Sequence, residues 1–173
     1  MLYLYPFDGY TPHDRDQQLH TQTLMKLTSP SFNHNGLIPS VYTRDGDDKN
    51  PPLKIRDVPP NTKSLVLIMD DPDALKQAGK IWDHWIVFNL PSSLTIINAG
   101  EQPPGVAGQN SQGDSTYQGP YPPNGEHHYF LRLYALDIKL SLQEGAAKTQ
   151  IHEAMQGHII EKTELVGRYS GRS

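Results

Sequence analysis

Ser64-Leu65-Val66-Leu67-Ile68-Met69-Asp70-Asp71-Pro72-Asp73 decides the fold class. Its apolar run is continuous but short, and it closes on an Asp-Asp-Pro-Asp turn. That combination reads as a buried central strand. Downstream, Trp82 to Leu90 contains Trp85-Ile86-Val87-Phe88 and reads as a second buried strand, stopped by Pro91. His127 to Leu136 reads as a third, with Tyr129, Leu131, Leu133 and Ala135 on one face.

Around these three the signals are weaker. Residues 74–80 read as a polar loop. From Pro91 to Gly125 the chain is rich in Gly, Pro, Asn and Ser, with a short strand at Leu94 to Ile97. So long a segment without strong periodicity inside a small domain is more often functional than idle. Upstream, Met25 to Leu27 and Leu53 to Val58 read as short strands, and Ser31 to Arg44 as strand–turn–strand around Asn35-Gly36 and Pro39. Asp45 to Pro52 is a loop by composition. One helix is expected near the C-terminus, where Ala147, Ile151, Ala154/Met155, His158 and Lys162 recur at helical spacing. Leu165 to Tyr169 reads as a final short strand. Residues 1–20 are unassigned, and 21–173 read as one domain. The sum is a mostly-β chain: an antiparallel-rich sandwich decorated by helix.

Composition narrows the function. The 15 prolines and 14 glycines favour strands and loops over long helices. A formal charge of −4, with no dense Lys/Arg cluster, argues against a nucleic-acid partner. The absence of cysteine excludes disulfides, thiolate metal sites and a thiol nucleophile. No run approaches the roughly 18 apolar residues of a membrane span. The start, Met1 to Asp8, lacks the basic and apolar regions of a signal peptide, so a cytoplasmic location is expected.

Three polar clusters touch the ends of the buried strands: Asp71-Pro72-Asp73, His84, and His127-His128-Tyr129. If the strands are neighbours, these ends meet in a pocket at one edge of the sheet. Imidazole and phenol groups can donate to a phosphate or carboxylate oxygen, and the N–H of Gly119 can join them. Asp71 and Asp73 would orient the histidines and accept a proton from a phosphate monoester or a ligand ammonium. Each motif alone has a plainer reading. Asp-Pro-Asp is a simple turn about three times as often, and His84, beside two tryptophans, is as easily a satisfied core histidine. Strand alternation turns His127 inward with Tyr129 and leaves His128 solvated or packed on the other face. His158 reads as structural, and His13, His20, His34 and His152 as surface residues. Two Asp and two His could also serve a metal, although no His-Glu-x-x-His or Asp-rich calcium spacing occurs. No Gly-x-Ser-x-Gly elbow, dinucleotide fingerprint or P-loop is present.

Five ordered segments carry a resemblance. Asn50-Pro51-Pro52-Leu53 precedes Val58-Pro59-Pro60 and the Ser64 strand. Asp71-Pro72-Asp73-Ala74 is followed by His84-Trp85-Ile86-Val87-Phe88-Asn89-Leu90-Pro91. Gly108-x-Asn110-x-x-Gly113 leads to Tyr117-x-Gly119-Pro120-x-Pro122-Pro123-x-Gly125, and His127-x-Tyr129 opens the Leu133-Tyr134-Ala135-Leu136-Asp137 strand. Together they resemble the phosphatidylethanolamine-binding protein family, the Raf kinase inhibitor protein-like group, in its bacterial and archaeal branch. The resemblance covers roughly residues 24 to 170.

It implies a large central antiparallel sheet in a sandwich with a second small sheet, plus a C-terminal helix. It also implies a pocket for phosphate, acetate, cacodylate or phosphoryl head groups at Asp71, Asp73, His84, Gly119, Pro120, His127 and Tyr129. Such proteins inhibit kinases or serine proteases or act as signalling scaffolds, without cofactor, and prokaryotic relatives are often homodimers. Leu75 stands where the family has Pro, His128 stands where Arg is common, and Lys76 to Trp82 lacks a tyrosine found in some relatives. The expected function is therefore non-enzymatic binding and regulation through a small anionic ligand such as phosphate or phosphoethanolamine. The rival is a hydrolase or metal-dependent enzyme using the Asp/His cluster.

Overall fold

The structure, a computed structural model, describes residues 24–171. The unassigned segment 1–20, with His13 and His20, lies outside the described residues. The chain forms β1 (Lys26–Thr28), β2 (Gly36–Leu37), β3 (Leu53–Arg56), β4 (Ser64–Asp71), α1 (Leu75–Ala78), β5 (Trp82–Leu90), β6 (Ile96–Ile97), β7 (Val106–Ala107), β8 (Glu126–Leu136), α2 (Lys148–Met155) and β9 (Ile159–Ser170). The fold is mostly β, with two sheets and few helices. The small sheet has the order β1-β3-β6 and the large one β2-β9-β8-β4-β5-β7.

All eight residues of β4 are buried, which the layering explains. Leu65, Leu67 and Met69 pack into a cluster shared with Leu27, Leu53 and Ile55 of the small sheet. Val66 and Ile68 face the other way, into a cluster with Ile151 and Met155 of α2. The large sheet is thus a middle layer, and a strand covered on both faces must be apolar at successive positions. β5 follows the same rule through Trp85 and Val87 on one side and Ile86 and Phe88 on the other. On β8 the inward set is Tyr129, Leu131, Leu133 and Ala135, as alternation requires.

Four expectations are corrected. The large sheet is mixed rather than antiparallel throughout, because β2 pairs parallel with β9. Ser31 to Arg44 is not a hairpin: its only strand is Gly36–Leu37, and Ser40–Tyr42 is a 3-10 turn. That segment is seated by a glycine, since a Cβ on Gly167 would lie 2.5 Å from Ile38 and 2.9 Å from Phe32. Residues 74–80 are not all loop, because a 3-10 turn over Pro72–Ala74 runs into α1. Finally, α2 ends at Met155, and Gly157 turns the chain with φ 77° into β9, which begins at Ile159. His158 is therefore outside the helix, and its Nδ1 meets Asp137 at 2.8 Å on the surface.

Candidate anion-binding site

Strand order brings the three polar clusters to one end of the large sheet. β8, β4 and β5 are consecutive antiparallel neighbours, so the end of β4 lies beside the starts of β5 and β8. There a cavity of about 240 Å³ opens, lined by Asp71, His84, Gly119, His127 and Tyr129 among others.

Asp71 and His127 form its core. His127 Nδ1 lies 2.7 Å from Asp71 Oδ2, with both side chains 5% exposed. The second carboxylate oxygen of Asp71 accepts the Ala74 N–H at 3.1 Å, capping the 3-10 turn. A carboxylate held at both oxygens fixes the imidazole beside it, so His127 carries its proton on Nδ1 and turns Nε2 free for other contacts.

His84 is held differently. Its Nδ1 donates to the Gln118 carbonyl at 2.8 Å, and the Gln118 N–H donates back to the His84 carbonyl at 3.0 Å. Gln118 also accepts the Trp82 indole N–H at 2.8 Å. A carbonyl can only accept, so the His84 proton sits on Nδ1. Burial pushes the His84 pKa down, against the Gln118 carbonyl and Asp71, which raise it. Neutral His84 therefore presents an Nε2 lone pair, an acceptor, where a donor was expected.

Tyr129 supplies the donor. Its ring packs edge-on to His84 with centroids 5.2 Å apart, and its hydroxyl is buried with no hydrogen-bond partner. Burial, followed by the charge of Asp71, raises its pKa and keeps the phenol protonated. An orphaned buried hydroxyl costs about 1–3 kcal/mol, which a ligand oxygen would recover.

Two expected residues, Asp73 and Pro120, stand elsewhere, and a third, Gly119, lines the cavity without an open N–H. Asp73 points away from the cavity: it accepts the His128 backbone N–H at 2.8 Å and lies 2.9 Å from His128 Nδ1. Pro72 starts the turn between the two aspartates, so tandem Asp71 and Asp73 serve tandem His127 and His128 on opposite sides of β8. Although burial raises it, the bonds to His128 dominate and hold the Asp73 pKa below its usual value. The Gly119 N–H is taken by Asp48 Oδ1 at 2.6 Å, so it is no free anion donor. Glycine is required there for close approach, because a Cβ would lie 2.8 Å from both Tyr42 O and Thr43 Cα. Pro120 contributes its carbonyl to the Arg44 N–H at 3.1 Å rather than a surface of the cavity. Arg44, Trp82, Gln118 and Tyr121 join the lining without having been read from the sequence. Among the described residues no three His, Asp or Glu side chains are grouped to hold a metal ion.

The lowered His84 pKa has a measurable consequence. Below pH 6.5 the unfolded histidine takes up a proton that the folded one resists. Its contribution is complete above that pH and falls as the pH drops, by up to about 1.4 kcal/mol per pH unit. Urea unfolding at about pH 7.5 and about pH 5.5 should therefore show a larger acid loss for the parent than for His84→Gln. Equal losses would contradict the buried neutral imidazole. Asp73 acts in a separate window, its stabilisation being lost only as the pH falls below 3.8.

The family model described as phosphatidylethanolamine-binding protein matches residues 28–170. The chain belongs to the phosphatidylethanolamine-binding protein family. Membership supports a binding or regulatory role in general. A UPF0098 protein of Methanothermobacter thermautotrophicus is 47% identical over 151 residues, covering 84% of this chain and 98% of that protein. A UPF0098 protein of Chlamydia pneumoniae is 43% identical over 147 residues, covering 84% and 98%. Among solved structures, the phosphatidylethanolamine-binding protein homolog CT736 of Chlamydia trachomatis superposes with a TM-score of 0.83 at 42% identity, covering 86% of this chain and 99% of that one. YbcL of E. coli shares the fold with a TM-score of 0.79 at 24% identity, covering 87% and 100%. As in a family built on strands, no described helix of this member is long and apolar enough to cross a membrane.

Proposed function

We propose that this family member is a non-enzymatic binding protein whose cavity takes a small oxyanion, a phosphate or a phosphoryl group. The observation that carries the reading is the buried Tyr129 hydroxyl, unpartnered, beside the buried Asp71–His127 pair. Tyr129 donates to one ligand oxygen. The neutral Nε2 of His84 accepts the proton of a monoprotonated phosphate or the ammonium of phosphoethanolamine. The Nε2 of His127, aimed by the Nδ1 contact with Asp71, meets the same group from a second side. The same chemistry accepts a phosphorylated or acidic side chain of a protein partner, the form in which a kinase or serine protease would be engaged.

The cavity lining contains no Ser, Thr or Cys, and burial keeps the Tyr129 phenol protonated, which favours binding over nucleophilic chemistry. Calorimetric titration with inorganic phosphate, phosphoethanolamine and acetate tests the reading. Saturable binding should weaken several-fold in Tyr129→Phe, by about 1 kcal/mol for one hydrogen bond. Unchanged affinity in that variant would remove the observation on which the reading rests. Turnover of phosphate or carboxylate esters would replace it with the enzymatic one.

A further inference from the structure

We propose that Arg44 reads the oxygens of a bound phosphoryl group that face the cavity mouth, and so makes the cavity select phosphate and phosphate monoesters over carboxylates. This rests on the oxyanion reading above and names the residue that sets ligand class within it.

Arg44 is the one lysine or arginine in the cavity lining, which otherwise holds a single carboxylate, Asp71. Its guanidinium makes no ion pair among the described residues, whereas Arg132, Lys148 and Arg168 are each engaged by carboxylates. It lies instead over the Tyr121 ring, 5.4 Å from the centroid. The Arg44 N–H donates to Pro120, so backbone and side chain are both tied to the loop that supplies Gly119 and Tyr121. A flat ring beneath a guanidinium orients its fork while leaving the edge donors free.

Oxygen counting gives the selectivity. The strand-end groups Tyr129 and His127 meet the two oxygens of a carboxylate, to which the His84 lone pair adds nothing. A tetrahedral phosphoryl group brings further oxygens that those groups cannot all reach. The remaining ones face outward, where a planar fork binds two at once. A carboxylate leaves Arg44 nothing to bind.

Dissociation constants for inorganic phosphate and acetate, measured at one pH and one ionic strength, test this on the parent, Arg44→Gln, Arg44→Lys and Tyr121→Leu. Arg44→Gln should weaken phosphate about tenfold or more and acetate less than about twofold. Arg44→Lys should restore only part of the loss, because a point charge lacks the fork. Tyr121→Leu should lower the phosphate-to-acetate preference in the same direction. Equal losses for both anions, or phosphate binding untouched by Arg44→Gln, would overturn the assignment while leaving the oxyanion cavity standing. A parent protein that binds neither anion would overturn both.

Discussion

Replacing Asp70 with Ala should cost about 3–5 kcal/mol of stability, a large part of the roughly 5–15 kcal/mol available to a domain. Asp70 is the neighbour of Asp71, but alternation along β4 turns it to the opposite face of the sheet. Its side chain is 4% exposed and accepts from two cations at once: Arg132 of β8, and Lys148 of α2 at 2.6 Å. Lys148 also reaches Asp83 of β5 at 2.7 Å, so one ammonium joins the helix to two strands. Burial opposes its charge, yet the two carboxylates win and raise its pKa. Without Asp70, Arg132 keeps only Glu164 at 3.6 Å, and both cations stay mostly buried. Each cation is then left with a single carboxylate, Glu164 for Arg132 and Asp83 for Lys148, and this thinner compensation of half-desolvated charge, rather than the lost attraction alone, makes the substitution severe. Urea unfolding should show a lower midpoint with an unchanged slope. A loss under about 1 kcal/mol would place these groups among ordinary surface pairs.

The largest effect on binding should come from Asp71→Ala. Asp71 touches no ligand in the account above. It holds His127 in one tautomer and orientation, and it caps the turn leading into α1. Its removal frees the imidazole to rotate and to exchange tautomers. Loss of a charge-assisted hydrogen bond of about 1.5–3 kcal/mol corresponds to phosphate binding weaker by roughly ten- to a hundred-fold. Asp73→Ala is the informative control. It should leave phosphate affinity within about twofold, because Asp73 serves His128 outside the cavity. Equal losses in the two variants would show that the aspartates act together after all.

What the sequence reveals follows from how each element is buried. β4, β5 and β8 announce themselves because two covered faces demand uninterrupted apolar residues. β9 hides most of its length: from Ile159 to Glu164 it is exposed or half-buried, and only Leu165-Val166 and Tyr169 give a strand signal. His158 and Lys162 fall at helical spacing by coincidence, and Gly157 is the stronger signal because a left-handed turn ends a helix. β2 contributes two residues to a parallel edge, a contact that no local pattern encodes.

The site shows the same division. His127 and Tyr129 are legible from period-2 alternation along one strand. The separate fates of Asp71 and Asp73 turn on a 3-10 turn beginning at Pro72, a conformation that the dipeptide pattern leaves open. Arg44 and Gln118 reach the cavity from loops distant in sequence, without periodicity to mark them. Asp70 could have been found: a charge inside a doubly covered strand requires a partner.

The central claim is most directly tested by nitrogen-resolved NMR of the histidine rings during titration with inorganic phosphate. Saturable shifts of the Nε2 signals of His84 and His127, with His34 and His152 unmoved, are the predicted result. Rings of His84 and His127 that stay unchanged across the titration, or that move no more than the surface histidines, would contradict an oxyanion at the end of β4, β5 and β8.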